Sequence, residues 1–254
     1  MSGEATRQVV NSCGLWRSLE PARREMPRVA GGAAARHGAL PWQASIRLRG
    51  QDGTYHHCGA VVVSPHHVLT TAHCLWDYRQ RLQIYYVRVG DNIIEVEDVE
   101  EQEFDIEKVD FHEMFGVGPY LNNDIAVVRL AGPGIKFGDK VLPVCLPQRG
   151  QSYESGHNIT VSGWGKVGYE QDGATLGTNF VSQLHSASLP IIATATCKRP
   201  EIYGEEKLSA GMFCAGLLEV SSTAQVPTDR IFCAAKNIIY LYIECCTLLR
   251  ARHE

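Results

Sequence analysis

Apolar and polar residues alternate in short runs along most of this chain, and Gly, Pro, Asn and Asp separate the runs. Trp42-Gln43-Ala44-Ser45-Ile46-Arg47-Leu48 alternates, as a half-buried strand would. Ala60-Val61-Val62-Val63, Tyr85-Tyr86-Val87-Arg88-Val89 and Ile125-Ala126-Val127-Val128-Arg129-Leu130 are rich in β-branched or aromatic side chains. Turn chemistry lies between them, as in Gly50-Gln51-Asp52-Gly53 and Gly132-Pro133-Gly134. Many short strands at fairly regular spacing predict a closed, all-β architecture. Residues 131–147 loosen into a Gly/Pro-rich connector ending in Leu142-Pro143-Val144-Cys145-Leu146-Pro147. A second set of strands begins at Asn158-Ile159-Thr160-Val161-Ser162-Gly163-Trp164-Gly165, and a short helix is expected near Ala193–Arg199.

From Val220 the character changes. Ser221-Ser222-Thr223-Ala224-Gln225 reads as a polar linker. The run Ile238–Leu249 carries one charge and high β propensity, the composition of an aggregation-prone segment or of one buried strand.

Composition narrows the classes. A length of 254 residues suits one large domain or two small ones packed together. The formal net charge is -4, and no basic stripe with interleaved aromatics appears, so a nucleic-acid partner is not expected. No stretch is long and apolar enough to predict a membrane span. The nine cysteines (Cys13, Cys58, Cys74, Cys145, Cys197, Cys214, Cys233, Cys245 and Cys246) form no CxxC pair, which speaks against a zinc ribbon. Their wide spacing fits disulfides in an oxidising compartment. The odd number leaves at least one thiol without an intramolecular partner. No signal peptide is read in the polar N-terminal stretch.

Two motifs carry the chemistry. Val68-Leu69-Thr70-Thr71-Ala72-His73-Cys74 strongly resembles the histidine motif of the chymotrypsin/trypsin-like serine protease family. Asn122-Asn123-Asp124-Ile125-Ala126-Val127-Val128-Arg129-Leu130 resembles its aspartate motif. Arg28-Val29-Ala30-Gly31-Gly32 looks like an activation cleavage site. Pro41-Trp42, His57-Cys58-Gly59, Val161-Ser162-Gly163-Trp164-Gly165 and Met212-Phe213-Cys214-Ala215-Gly216 fit the same pattern. The resemblance covers residues 28 to about 219.

It implies two six-stranded antiparallel β-barrels, the second incomplete in this chain. Residues 1–28 are then an activation-peptide remnant and 29–130 the first barrel. Residues 131–147 form the connector, 148–219 a partial second barrel, and 220–254 a divergent tail. The family's chemistry needs a serine, a base and a carboxylate. A serine hydroxyl is a poor nucleophile at neutral pH. An imidazole takes its proton during attack and returns it to the leaving amine, while a buried carboxylate fixes the tautomer and stabilises the cation. The resemblance makes His73 the base and Asp124 the carboxylate.

The nucleophile is where the chain departs from the family. After Gly216 the family reaches Gly-Asp-Ser-Gly-Gly-Pro, which carries the serine and an oxyanion-hole glycine. This chain reads Leu217-Leu218-Glu219-Val220-Ser221-Ser222-Thr223 and contains no Gly-Asp-Ser-Gly. Ser221 and Ser222 lack the flanking glycines that let backbone N–H groups approach an oxyanion. The specificity-pocket base, the last strands and the closing helix have no recognisable counterpart. A half-built second barrel exposes sheet edges, so the first barrel is expected to be firm and the second loose, with the 238–249 run a substitute edge strand.

The resemblance also implies disulfides Cys13–Cys145, Cys58–Cys74 and Cys197–Cys214, and leaves Cys233, Cys245 and Cys246 unmatched. Asn158-Ile159-Thr160 is an N-glycosylation sequon. Asp91, Asp98 and Glu101 fall where some relatives place a calcium loop, and the plainer expectation is a solvated acidic loop without a metal. No cofactor is expected. The function implied is a secreted serine endopeptidase, activated by cleavage after Arg28 and acting on protein or peptide substrates, yet inactive as this chain reads. The alternatives are a non-catalytic pseudoprotease that binds, and a truncated product without function.

Overall fold

The structure, a computed structural model, describes residues 13–14, 33–119, 121–166, 180–216 and 231–235. These divide into two compact units. Of the described residues, the first comprises 13–14, 35–111 and 126–147, and the second 33–34, 112–119, 121–125, 148–166, 180–216 and 231–235.

The first unit is a closed barrel. Its strands are β2 (Gln43–Gly50), β3 (Gly53–Ser64), β4 (His67–Thr70), β5 (Tyr85–Val89), β6 (Gln102–Phe111) and β7 (Ala126–Leu130). They run in the ring order β2-β3-β4-β7-β6-β5, every neighbouring pair antiparallel. Gly50 pairs with Gly53 across a two-residue hairpin turn, and Gly53 takes φ 138, which a side chain would resist. The alternation seen in β2 is real but has two buried faces. Ala44 and Ile46 enter the core beside Val62, Val68, Tyr85, Val87 and Val128. Ser45 and Arg47 are buried on the opposite side by polar partners.

The connector is part of this unit. The amide of Ile135 donates to Pro65, that of Leu142 to Pro41 and that of Val144 to Val62, and the three side chains of Ile135, Val141 and Val144 are buried. The disulfides Cys13–Cys145 and Cys58–Cys74 are both formed here. Each contributes roughly 2–4 kcal/mol.

Among its described residues the second unit holds a five-stranded sheet that does not close. It contains β1 (Ala33–Ala34), β8 (Asn158–Lys166), β9 (Phe180–Ile192), β10 (Met212–Gly216) and β11 (Ile231–Ala235). Its path is β1-β9-β10-β11, with β8 on the other edge of β9. Among its described residues two small apolar clusters form. One groups Ile192, Cys197, Ile202, Tyr203, Leu208 and Cys214, and the other Ile159, Val161, Leu189, Ile191, Phe213 and Ala215. The short helix expected near 193–199 spans Thr194–Cys197, and its Cys197 is bonded to Cys214.

The tail supplies one described strand. Ile231–Ala235 pairs with Met212–Gly216 over five positions, whereas the 238–249 run lies outside the described residues. The fold is therefore all-β, with one closed six-stranded barrel and one partial sheet.

Candidate active site

His73 opens the helical turn α1 (His73–Trp76), three residues after β4 ends. Several bonds clamp this corner to β3. Thr70 Oγ1 donates to the Gly59 carbonyl at 2.7 Å, and Cys74 is bonded to Cys58. His57 Nε2 donates to the Cys74 carbonyl at 2.9 Å, and its ring lies 5.1 Å from that of Tyr85. Thr71 Oγ1 lies 2.9 Å from Cys74 Sγ; the sulfur is in a disulfide, so the hydroxyl donates. The flanking Ala72, Cys74 and Leu75 are buried, while the His73 ring is half-buried. Thus His73 sits on a rigid corner with part of its ring open to solvent.

Asp124 precedes β7 by two residues and is 6 % exposed. The two asparagines before it build its turn. Asn123 adopts φ 55, a left-handed conformation that asparagine tolerates well. Asn123 Nδ2 donates to the Met114 carbonyl at 3.0 Å, and Asn122 Nδ2 to that of Val117. The Ile125 amide then bonds the Asn123 carbonyl at 2.8 Å, closing a three-residue turn centred on Asp124.

Within the barrel, β4 and β7 pair with Thr70 opposite Ala126. The chain therefore reaches His73 three residues beyond one member of that pair, and Asp124 lies two residues before the other.

Among the described residues two serine–histidine contacts occur elsewhere, and neither is suited to nucleophilic attack. Ser45 Oγ lies 2.7 Å from His56 Nδ1. Ser45 is completely buried, so no substrate reaches it. Burial, with Arg47 and then His57 nearby, pulls His56 down to about 3, which leaves the imidazole a poor base at neutral pH. Ser64 Oγ and His67 Nδ1, 2.9 Å apart, span the short β3–β4 turn. Both contacts tie the barrel together.

The acidic segment after β5 is not a solvated loop at its centre. Asp91 is 5 % exposed and the Glu101 side chain 6 %. One oxygen of each of Asp91, Asp98 and Glu101 lies within 4.8 Å of the others. Arg47 Nη1 reaches Asp91 Oδ2 at 3.5 Å, and Arg88 Nη1 reaches the same oxygen at 3.7 Å and Glu101 Oε2 at 3.3 Å. Among the described residues Asp91 Oδ1 and Glu101 Oε1 find no hydrogen-bond partner. Burial first, and then Glu101, raise Asp91 to about 7 against the pull of Arg88 and Arg47. Burial likewise raises Glu101. The oxygen donors suit a hard divalent cation, but the two guanidinium groups already supply positive charge at Asp91 Oδ2. Sequence reasoning found the three carboxylates and missed Arg47, because β2 alternation marks that position as outward-facing. Gly90, at φ 81, starts this segment; a Cβ there would sit 2.7 Å from the Glu100 carbonyl oxygen.

Asn158 of the sequon is exposed at the start of β8. Arg28, Val29, Ser221 and Ser222 lie outside the described residues.

The family model described as Trypsin matches residues 29–225. The chain belongs to the trypsin family. The match contains both motifs and runs six residues past Glu219, where the resemblance read by eye gives out. Trypsin-family membership brings protein substrates as the family's substrate class. Among the described residues no helix is long and apolar enough to cross a membrane.

Proposed function

We propose that this chain is a trypsin-family serine endopeptidase scaffold that keeps the base and carboxylate of the catalytic triad and is silent for want of a nucleophile. In this reading His73 is the general base, and Asp124 orients it and stabilises its cation. The clamped corner at His73 and the asparagine-built turn at Asp124 support the reading, because each motif residue is held by bonds of its own segment. The observation that carries the silence is the sequence after Gly216, where no Gly-Asp-Ser-Gly follows. Loss of a triad serine alone lowers turnover about 10⁶-fold in subtilisin. Loss of the oxyanion-hole glycine removes a further stabilising donor. Cleavage after Arg28 would free Val29, as in zymogen activation, without creating a nucleophile. Disulfides at three sites favour an oxidising, extracellular setting.

The test is hydrolysis of a panel of peptide thioesters by the full chain, before and after cleavage at Arg28. Rates equal to buffer in both states are expected. Saturable turnover that disappears in His73→Ala would overturn the reading.

A second reading, a folded pseudoprotease acting by binding, is favoured by one observation. The divergent tail pairs with β10 over five positions and so covers an edge the family would cover otherwise. It predicts a monomer in solution; a chain found only as soluble or insoluble aggregate contradicts it and favours a truncated product.

A further inference from the structure

Strand β10 runs between β9 and β11, and its Cys214 lies opposite Ile192 on one side and Cys233 on the other. Directly opposite residues of an antiparallel pair share a face, with Cα atoms about 4.5 or 5.5 Å apart. A disulfide spans Cα separations of about 4.4–6.8 Å, so either kind of register position accommodates one. Cys214 is already bonded to Cys197.

The faces of β10 are well separated. Cys214 packs with Ile192, Cys197 and Leu208, whereas its neighbours Phe213 and Ala215 pack into the other cluster. The register therefore assigns position 233 to the face that already holds the Cys197–Cys214 bridge. Ala234 and Phe232, opposite Phe213 and Ala215, belong to the other face. Position 233 thus lies opposite the half of the Cys197–Cys214 bridge that β10 carries. The loop that Cys233 would close with Cys214 is almost the same length as the one Cys197 closes, so chain entropy favours neither.

We propose that Cys214 is the shared centre of a thiol–disulfide exchange, bonded alternately to Cys197 and to Cys233. Cys233 gives up its proton, and the thiolate attacks Cys214 Sγ. The Cys214–Cys233 bond forms as the Cys197–Cys214 bond breaks, and the electron pair leaves on Cys197 Sγ, which takes up a proton. Bond count and sulfur oxidation state are conserved, so no outside oxidant or reductant is needed. In one state the bridge ties the Thr194–Cys197 helix to β10; in the other it staples the tail strand β11 to β10.

Trypsin cleavage after Lys166, Lys198, Lys207, Arg230 and Lys236 places Cys197, Cys214 and Cys233 on separate peptides. The full chain is equilibrated at about pH 8.5, near the ordinary thiol pKa. It is then quenched with acid and N-ethylmaleimide, digested without reductant and mapped by mass spectrometry. Both linked pairs are expected in the wild-type chain. Cys197→Ser should move the bond wholly to Cys214–Cys233, and Cys233→Ser should leave Cys197–Cys214 alone. A wild-type map holding Cys197–Cys214 only, with Cys233 alkylated or bonded to Cys245, Cys246 or a second chain, overturns the proposal. So does a folded Cys197→Ser chain with Cys233 still alkylated; if that variant does not fold, the wild-type map decides.

Discussion

The two units share a strand-rich composition and differ in how they end their sheets. In the first barrel every strand is hydrogen-bonded on both edges, because β2 meets β5 and closes the ring. A single continuous cluster fills it, from Ala44 and Ile46 through Tyr85 to Val128 and Leu130. Among the described residues of the second unit the strands form a sheet that does not close, and two small apolar clusters lie one on each face of β10. Closure removes edges and lets one core grow; a sheet that does not close leaves edges to be managed. The tail strand manages one of them.

The largest effect that should separate the units is local opening. Amides of β3, β4 and β7 should exchange with solvent at least about 100-fold more slowly than those of β8 and β10. Limited proteolysis with mass mapping should cut after residue 150 well before it cuts the barrel. Equal resistance on the two sides of residue 150 would break the comparison.

Core truncation should sharpen it. Ile46→Ala leaves a hole in a fully buried, closed core and should cost about 2–5 kcal/mol. Ile202→Ala, at the margin of a small cluster, should fall at the bottom of that range because the site can collapse. Denaturant unfolding of the two variants reads the difference; equal losses would argue that the second core is as tightly held as the first.

A further expected effect is a pH slope seated in the barrel. In the unfolded chain Asp91 loses its proton near its ordinary value of 3.8, whereas in the folded barrel it holds the proton to about 7. Between these values the folded state binds more protons, so stability should fall as pH rises from about 4 to 7. Glu101, raised in the same direction, adds to the slope, while Arg47 and Arg88 oppose it and Asp98 reinforces it. Asp91→Asn should flatten the change in Tm across this window, and an unchanged slope would remove Asp91 as its source.

Much of the barrel was legible because its strands are β-branched and bounded by turn residues. Strand β6 was hidden by two features. Its outward positions are acidic, as at Glu103, Asp105 and Glu107, and a register shift between Ile106 and Lys108 changes the parity of its apolar residues. Phe104 and Ile106 are thus followed by Val109 and Phe111, and simple alternation fails. Strand β11 was hidden because its partner is set by the free edge of β10, a tertiary fact that local propensity does not carry. His73 and Asp124 were legible as motifs. The bonds that hold them, His57 to the Cys74 carbonyl and Asn123 to the Met114 carbonyl, depend on chain segments that meet only on folding.

The central claim is that this chain holds the base and carboxylate of a serine protease with no nucleophile to activate. A fluorophosphonate probe reads it most directly, since it labels only an activated serine. Incubation of the full chain, cleaved after Arg28, should give no label by intact mass spectrometry. Stoichiometric labelling of one serine, lost in His73→Ala, would contradict the account and name the nucleophile.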